Sequence, residues 1–122
     1  MAEYVPLYMP GAAITLPASA AITGGQLLVI SGSLTVAPSS AATHSWIGVA
    51  GFDAASGDQV TIYCEGVQKF TSTGSITAGG NVEAATAGTV AAHTNGTNDQ
   101  NIVGVALNTV TTGQTVYVAV AR

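Results

Sequence analysis

Charge is what this chain has least of. Only 7% of its 122 residues are charged, against about 25% in an ordinary soluble protein. Lys69 and Arg122 are its only basic side chains, and the formal net charge is −4. A nucleic-acid binder needs a basic patch to neutralise phosphates, and two cations cannot make one. Cysteine is also scarce: Cys64 stands alone, which excludes an intrachain disulfide framework. The longest strongly apolar run, Leu27 to Ile30, is far too short to span a bilayer. The start, Met1-Ala2-Glu3-Tyr4, has no basic region followed by an apolar one, so no secretion signal is expected and synthesis in the cytoplasm is. The helix formers Lys, Glu, Arg and Met are few, and aromatics reach only 6%, which argues against helical packing and against a ring-rich core.

What remains is Val, Ile, Leu and Ala among Gly, Thr and Ser, the composition of short strands and many turns. A 12.0 kDa chain is most simply one domain with a single core. Its low charge density makes the surface cheap to desolvate and suits extensive protein contact. The strongest pattern is internal. Trp46-Ile47-Gly48-Val49-Ala50 with Gly57-Asp58-Gln59-Val60-Thr61-Ile62-Tyr63-Cys64 returns as Ile102-Val103-Gly104-Val105-Ala106 with Gly113-Gln114-Thr115-Val116-Tyr117-Val118-Ala119-Val120. Leu16 to Thr23 parallels Phe70 to Thr77, Gly24-Gly25-Gln26-Leu27 parallels Gly79-Gly80-Asn81-Val82, and Gly32 through Ala37 is echoed from Gly88. Residues 14–64 and 68–120 therefore read as two copies of one plan. The expectation is an all-β fold of about ten short strands, a small barrel or a two-layer sandwich, with an extended N-terminal arm over residues 1–10 and one β domain over residues 11–122.

Taken in order, Glu3 to Pro10 is apolar and broken by Pro6 and Pro10, so it reads as an extended arm or edge strand. Tyr4, Val5, Leu7, Tyr8 and Met9 are large for a dangling terminus. They either fold back over their own domain or add as a strand to a neighbour. Ser31-Gly32-Ser33 is a hairpin signal between Gln26–Ile30 and Leu34–Ala37. In the strand from Trp46, Ile47 and Val49 are expected on one face and Gly48 and Ala50 on the other, the bare face admitting another backbone or a bulky ring. Glu65-Gly66 is expected to form a tight turn. Aligned as above, the second copy has Glu83 and Ala85 where the first has Leu28 and Ile30. Burying each aliphatic is worth roughly 1.5–3 kcal/mol, so the arm or another subunit is expected to cover Leu28.

Residues suited to chemistry are few. His44 and His93 lie in corresponding loops without acidic or cysteine neighbours at ligand spacing, which favours structural histidines over a metal site. Cys64 aligns with Val120 and reads as a small buried hydrophobe. Gly-x-Ser-x-Gly is absent, Asp53 and Asp58 flank a turn where Asp bonds its own backbone, and the Gly pairs lack the helix of a phosphate cradle. No catalytic residue, cofactor or metal is expected, and the chain is read as not an enzyme. Two other classes stay open. A carbohydrate-binding β domain would show exposed rings, with Trp46, Tyr63 and Tyr117 the candidates. A hydrolase would need His44 or His93 within reach of a Ser or a carboxylate in a cleft.

Laid end to end, Ala2-Glu3-Tyr4-Val5-Pro6-Leu7-Tyr8 with Pro10-Gly11, Ala21-Ile22-Thr23-Gly24-Gly25-Gln26-Leu27, Val36-Ala37-Pro38, Trp46-Ile47-Gly48-Val49-Ala50, Gly57 to Tyr63 and Val103-Gly104-Val105-Ala106-Leu107 carry a resemblance. Their order and spacing resemble the capsid decoration, or cement, proteins of tailed phages, over nearly the full length. The resemblance implies a virion protein on the outer surface of the assembled head, bound to the major capsid protein and bridging capsomers. It also implies a homo-oligomer, with a trimer favoured, and an arm that pairs with capsid strands. On that expectation the contact residues are Tyr4, Val5, Leu7, Tyr8 and Met9, with Leu28 next.

Overall fold

The alternation of Val, Ile and Leu with Thr, Ser and Gly makes ten strands among the residues, 13–121, that the computed structural model describes. They are β1 (Ala13–Pro17), β2 (Leu27–Gly32), β3 (Thr35–Pro38), β4 (Trp46–Ala50), β5 (Gln59–Tyr63), β6 (Glu65–Thr71), β7 (Asn81–Ala84), β8 (Val90–Ala92), β9 (Ile102–Ala106) and β10 (Thr115–Ala121). The helical content of this region is two single 3-10 turns, Thr86–Gly88 and Asp99–Asn101. The all-β expectation is met. The Glu65-Gly66 turn is not, because Cys64 alone separates β5 from β6 and both residues belong to β6.

The strands form two antiparallel five-stranded sheets of orders β1-β5-β4-β2-β3 and β6-β10-β9-β7-β8. Renumbered from the start of each half, the two orders are the same. Each sheet curls until its last strand reaches the segment after its first: the Ser19 N–H donates to the Val36 carbonyl, and the Thr73 N–H to that of Val90, both at 2.8 Å. The bridge Ile22–Ala54 recurs as Ile76–Val110. Equivalent residues are therefore 54 apart up to β8 and 56 apart from β9, two residues having entered the loop after β8.

That register corrects the sequence alignment by one residue in β2 and β7. Leu28 stands opposite Gly48, and Val82 opposite Gly104, so the partners of Leu28 and Ile30 are Val82 and Ala84, not Glu83 and Ala85. Leu28 is 0% exposed and packs with Leu16, Val36, Val60 and Ile62 in the core of the first half. It is core, not contact surface. Gly25 and Gly79, both with positive φ, are the equivalent glycines, one residue off the match of the two Gly-Gly pairs.

The interior is two clusters rather than one. The first half's core runs from Leu16 to Cys64. Nearly all its members have buried apolar equivalents in the second: Leu16 and Phe70, Ile22 and Ile76, Val60 and Val116, Cys64 and Val120. The second cluster also contains Leu27, Trp46 and Val49 of the first half, with Val29 against it. Side chains that β2 and β4 turn away from their own core thus complete the neighbour's. A register shift between Leu28 and Val29, opposite Trp46 and Gly48, sends Ile47 to the first core while Trp46 and Val49 join the second. The strict alternation expected for β4 fails at that bulge.

Candidate functional site

A groove of about 460 Å³ lies between the halves and is lined by Thr23, Gln26, Lys69, Thr71, Thr89 and Thr115 among others. Lys69 is its only ionisable side chain, so it offers no acid–base pair. Trp46 is 2% exposed, which removes the largest ring from any glycan platform. Tyr63 and Tyr117 are both exposed, but on different sheets. No group of three or more His, Cys, Asp or Glu suited to a metal ion is found among the described residues.

A small polar cluster does form where none was expected. His93 Nδ1 lies 2.7 Å from Glu83 Oε2 and its Nε2 2.9 Å from Asp99 Oδ1. The β7–β8 hairpin explains the first contact. Glu83 pairs with Ala91, which puts His93 two residues further on along the same face, within diagonal reach across the strands. The 3-10 turn Asp99–Asn101 brings in the second, and Asp99 also accepts the Gly96 N–H at 2.9 Å. The imidazole is only 2% exposed. Carboxylates only accept, so holding both requires N–H on both nitrogens, the imidazolium form. Consistent with this, the bonds to Asp99 and Glu83 raise the His93 pKa above its ordinary 6.5. The bonds from His93 and from the Gly96 N–H lower that of Asp99 below 3.8. Burial, with help from Glu65, raises the thiol pKa of Cys64, the state of an inert packing residue.

The cluster borders a pocket of about 180 Å³ shared with Ala42, Thr94 and Thr97. A carboxylate within reach of a histidine is what a hydrolase would need, but both ring nitrogens here are engaged, leaving none to take a proton from a nucleophile. The cluster's chemistry is that of a clasp: it buttons the loop after β8 onto β7. Sequence spacing alone hid it, since Glu83 is ten residues before His93 and Asp99 six after; the hairpin register was the available signal.

The remaining surface is apolar in places. Val67, Val105, Leu107 and Tyr117 are exposed on the β6–β10–β9 face, Ile30 and Leu34 at the β2–β3 hairpin, and Phe52 and Tyr63 elsewhere on the first half. Ser33 and Leu34, not Gly32, form the turn of that hairpin, and Leu34 has φ 57°. Its equivalent is Gly88, φ 74°, which bears that conformation freely; a leucine there costs about 1–2 kcal/mol.

The equivalent hairpin of the second half is a docking element. The Ser39 hydroxyl donates to the Ala85 carbonyl at 2.7 Å, the Gly88 N–H to the Ser39 carbonyl at 3.0 Å, and the Gln26 amide to the Ala87 carbonyl at 3.1 Å. A Cβ on Gly88 would collide with Gln26. Tyr4, Val5, Leu7, Tyr8 and Met9, the expected arm contacts, lie outside the described residues.

Comparison with known proteins finds both a family and solved structures that this chain is similar to. The sequence model of phage cement proteins matches residues 8–122. The fold is similar to the crystal structure of the base of head fiber gp8.5 from bacteriophage phi29, with a TM-score of 0.70 and 22% identity over 89% of this chain and 92% of that one. No curated protein matches. Among the described residues no helix is long and apolar enough to cross a membrane.

Proposed function

The chain belongs to the phage cement protein family, and on that premise we propose that it binds the outer surface of the assembled phage head and stabilises the contacts between capsomers. The family match over residues 8–122 carries this reading. The physical surface supports it, with few charges to desolvate and exposed aliphatic and aromatic side chains on both halves. Its partner is the major capsid protein, and its working state is a homo-oligomer, with a trimer favoured. Many copies on a lattice let weak individual contacts add up through avidity. We read residues 14–64 and 68–120 as two copies of one unit, residues 11–122 as one domain, and residues 1–10 as an arm that reaches the shell. No catalytic role is assigned: the family is one of structural proteins, and the His93 cluster has both ring nitrogens occupied.

The test is co-sedimentation with expanded, undecorated heads, followed by osmotic or thermal challenge of the decorated particles. Full-length protein should pellet with heads and raise their resistance to rupture. Removing residues 2–10 should leave a folded domain, with its melting temperature kept, and abolish pelleting. Undiminished binding of the truncated protein would remove the arm from the mechanism, and failure of the full-length protein to bind any head would remove the function.

A further inference from the structure

We propose that the β2–β3 hairpin, with Ile30 and Leu34 at its tip, is a self-association element that docks on the second half of another copy, repeating between chains the joint that unites the halves within one. The inference rests on the homo-oligomer of the preceding reading and assigns surfaces to it.

Three observations meet. First, the equivalent β7–β8 hairpin is seated on the first half within this chain, held by Ser39 and Gln26, so what receives such a hairpin is a half of this same fold. Second, the free hairpin is built to be covered. Where the seated one has Ala84 and Gly88, it has Ile30 at 43% and Leu34 at 63% exposure. Leu34 keeps an unfavourable left-handed backbone where glycine would be relaxed, a departure that points to work done by the side chain. Third, the matching receiving surface of the second half is open on its β9 side, at Val105, while its His93 side is closed by the bonds to Glu83 and Asp99. Its equivalents of Gln26 and Ser39 are Gly80 and His93, as the paired bonds Ala50 N–H to Gln26 carbonyl with Ala106 N–H to Gly80, and Ser39 N–H to Leu27 carbonyl with His93 N–H to Asn81, establish. Val49 is 3% exposed inside the chain's own joint, whereas its equivalent Val105 is 39% exposed.

The differences between the two joints have a consistent sense. The receiving side loses apolar surface, Asn81 for Leu27 and Glu83 for Val29, while the entering hairpin gains it. A face that stays wet until a partner arrives must be more polar than one sealed during folding, and larger anchors on the other side offset the loss. Hairpin and receiving surface are different patches, so the contact is head-to-tail and closes into a ring or runs on as a fibre.

Leu34→Gly tests this because its effects on folding and on assembly have opposite signs. It relieves the backbone, so the melting temperature should hold or rise, while self-association measured by sedimentation velocity should weaken about ten- to a hundredfold. Val105→Glu should weaken it similarly from the receiving side. Mixed together, the two variants keep one intact hairpin and one intact receiving surface, and should pair as dimers and stop there. An unchanged association constant for Leu34→Gly overturns the proposal, as does a mixture that stays monomeric, or wild-type protein with no self-contact in solution or on heads. Loss of head binding by Leu34→Gly with its oligomer intact also overturns it, by giving the hairpin to the capsid. Wild-type protein that assembles through the hairpin yet ignores heads leaves this inference standing and removes the capsid role instead.

Discussion

At the scale of single residues, His93 is the side chain whose behaviour departs most from its sequence surroundings. Its two bonds need the charged ring, so its folded-state pKa is raised and the stability it contributes is fully present below its ordinary value of 6.5. That contribution is lost as pH climbs through the raised value. Asp99 works the other way: its pKa is lowered, so its share is present above 3.8 and lost as pH falls through the depressed value. The His93–Asp99 bond is thus complete from about pH 4 to at least pH 6.5. Following the ring protons by NMR should give a midpoint above 6.5, and hydrogen exchange in residues 93–101 should quicken on the alkaline side of it. A midpoint at or below the ordinary value would dissolve the clasp. The sequence named His93 but not its partners, because the contact depends on hairpin register and on a 3-10 turn rather than on spacing.

At the scale of elements, the close approach of β4 to β5 and of β9 to β10 depends on glycine. A Cβ on Gly48 would collide with the Tyr63 carbonyl, and one on Gly104 with that of Ala119. Backbone cannot swing aside as a flexible side chain can. Gly104→Ala should therefore cost at least about 1–3 kcal/mol, the usual range for overpacking, read as a lowered urea midpoint. No loss of stability would mean that the strands part easily. The need for glycine at these two positions was legible in sequence, since a strand glycine invites backbone, but the face was not bare, because Ile47 joins Ala50 in the first core. The bulge at Ile47 was not, because register shifts are decided by what lies on both faces of the sheet. Nor was the β2–β3 turn, where a glycine stood two residues from the position that needed it and a leucine took the strained place.

At the scale of the molecule, the two halves have separate sheets but not separate interiors. Leu27, Trp46 and Val49 belong to the first half by sequence and to the second by packing. Unfolding either half would expose surface the other needs covered, so calorimetry should show one transition, with the calorimetric and van't Hoff enthalpies equal. Two resolved transitions would mean that the joint holds the halves together without coupling them. The same asymmetry underlies the proposed assembly, since a two-part chain joined head-to-tail ends in one entering and one receiving surface.

By itself the sequence determined the all-β class, the burial of Cys64 and the need for glycine in β4 and β9. Each of these follows from local propensity, two-residue periodicity or repetition, which operate along the chain. Only the tertiary structure decided that Leu28 is core, that Trp46 crosses to the other half's interior, that Glu83 and Asp99 close on His93, and that one hairpin is seated while its twin is exposed. Those outcomes depend on register between distant strands and on which face of a sheet meets a neighbour. A shift of one residue in register reverses every face it touches, and no single stretch of chain encodes it.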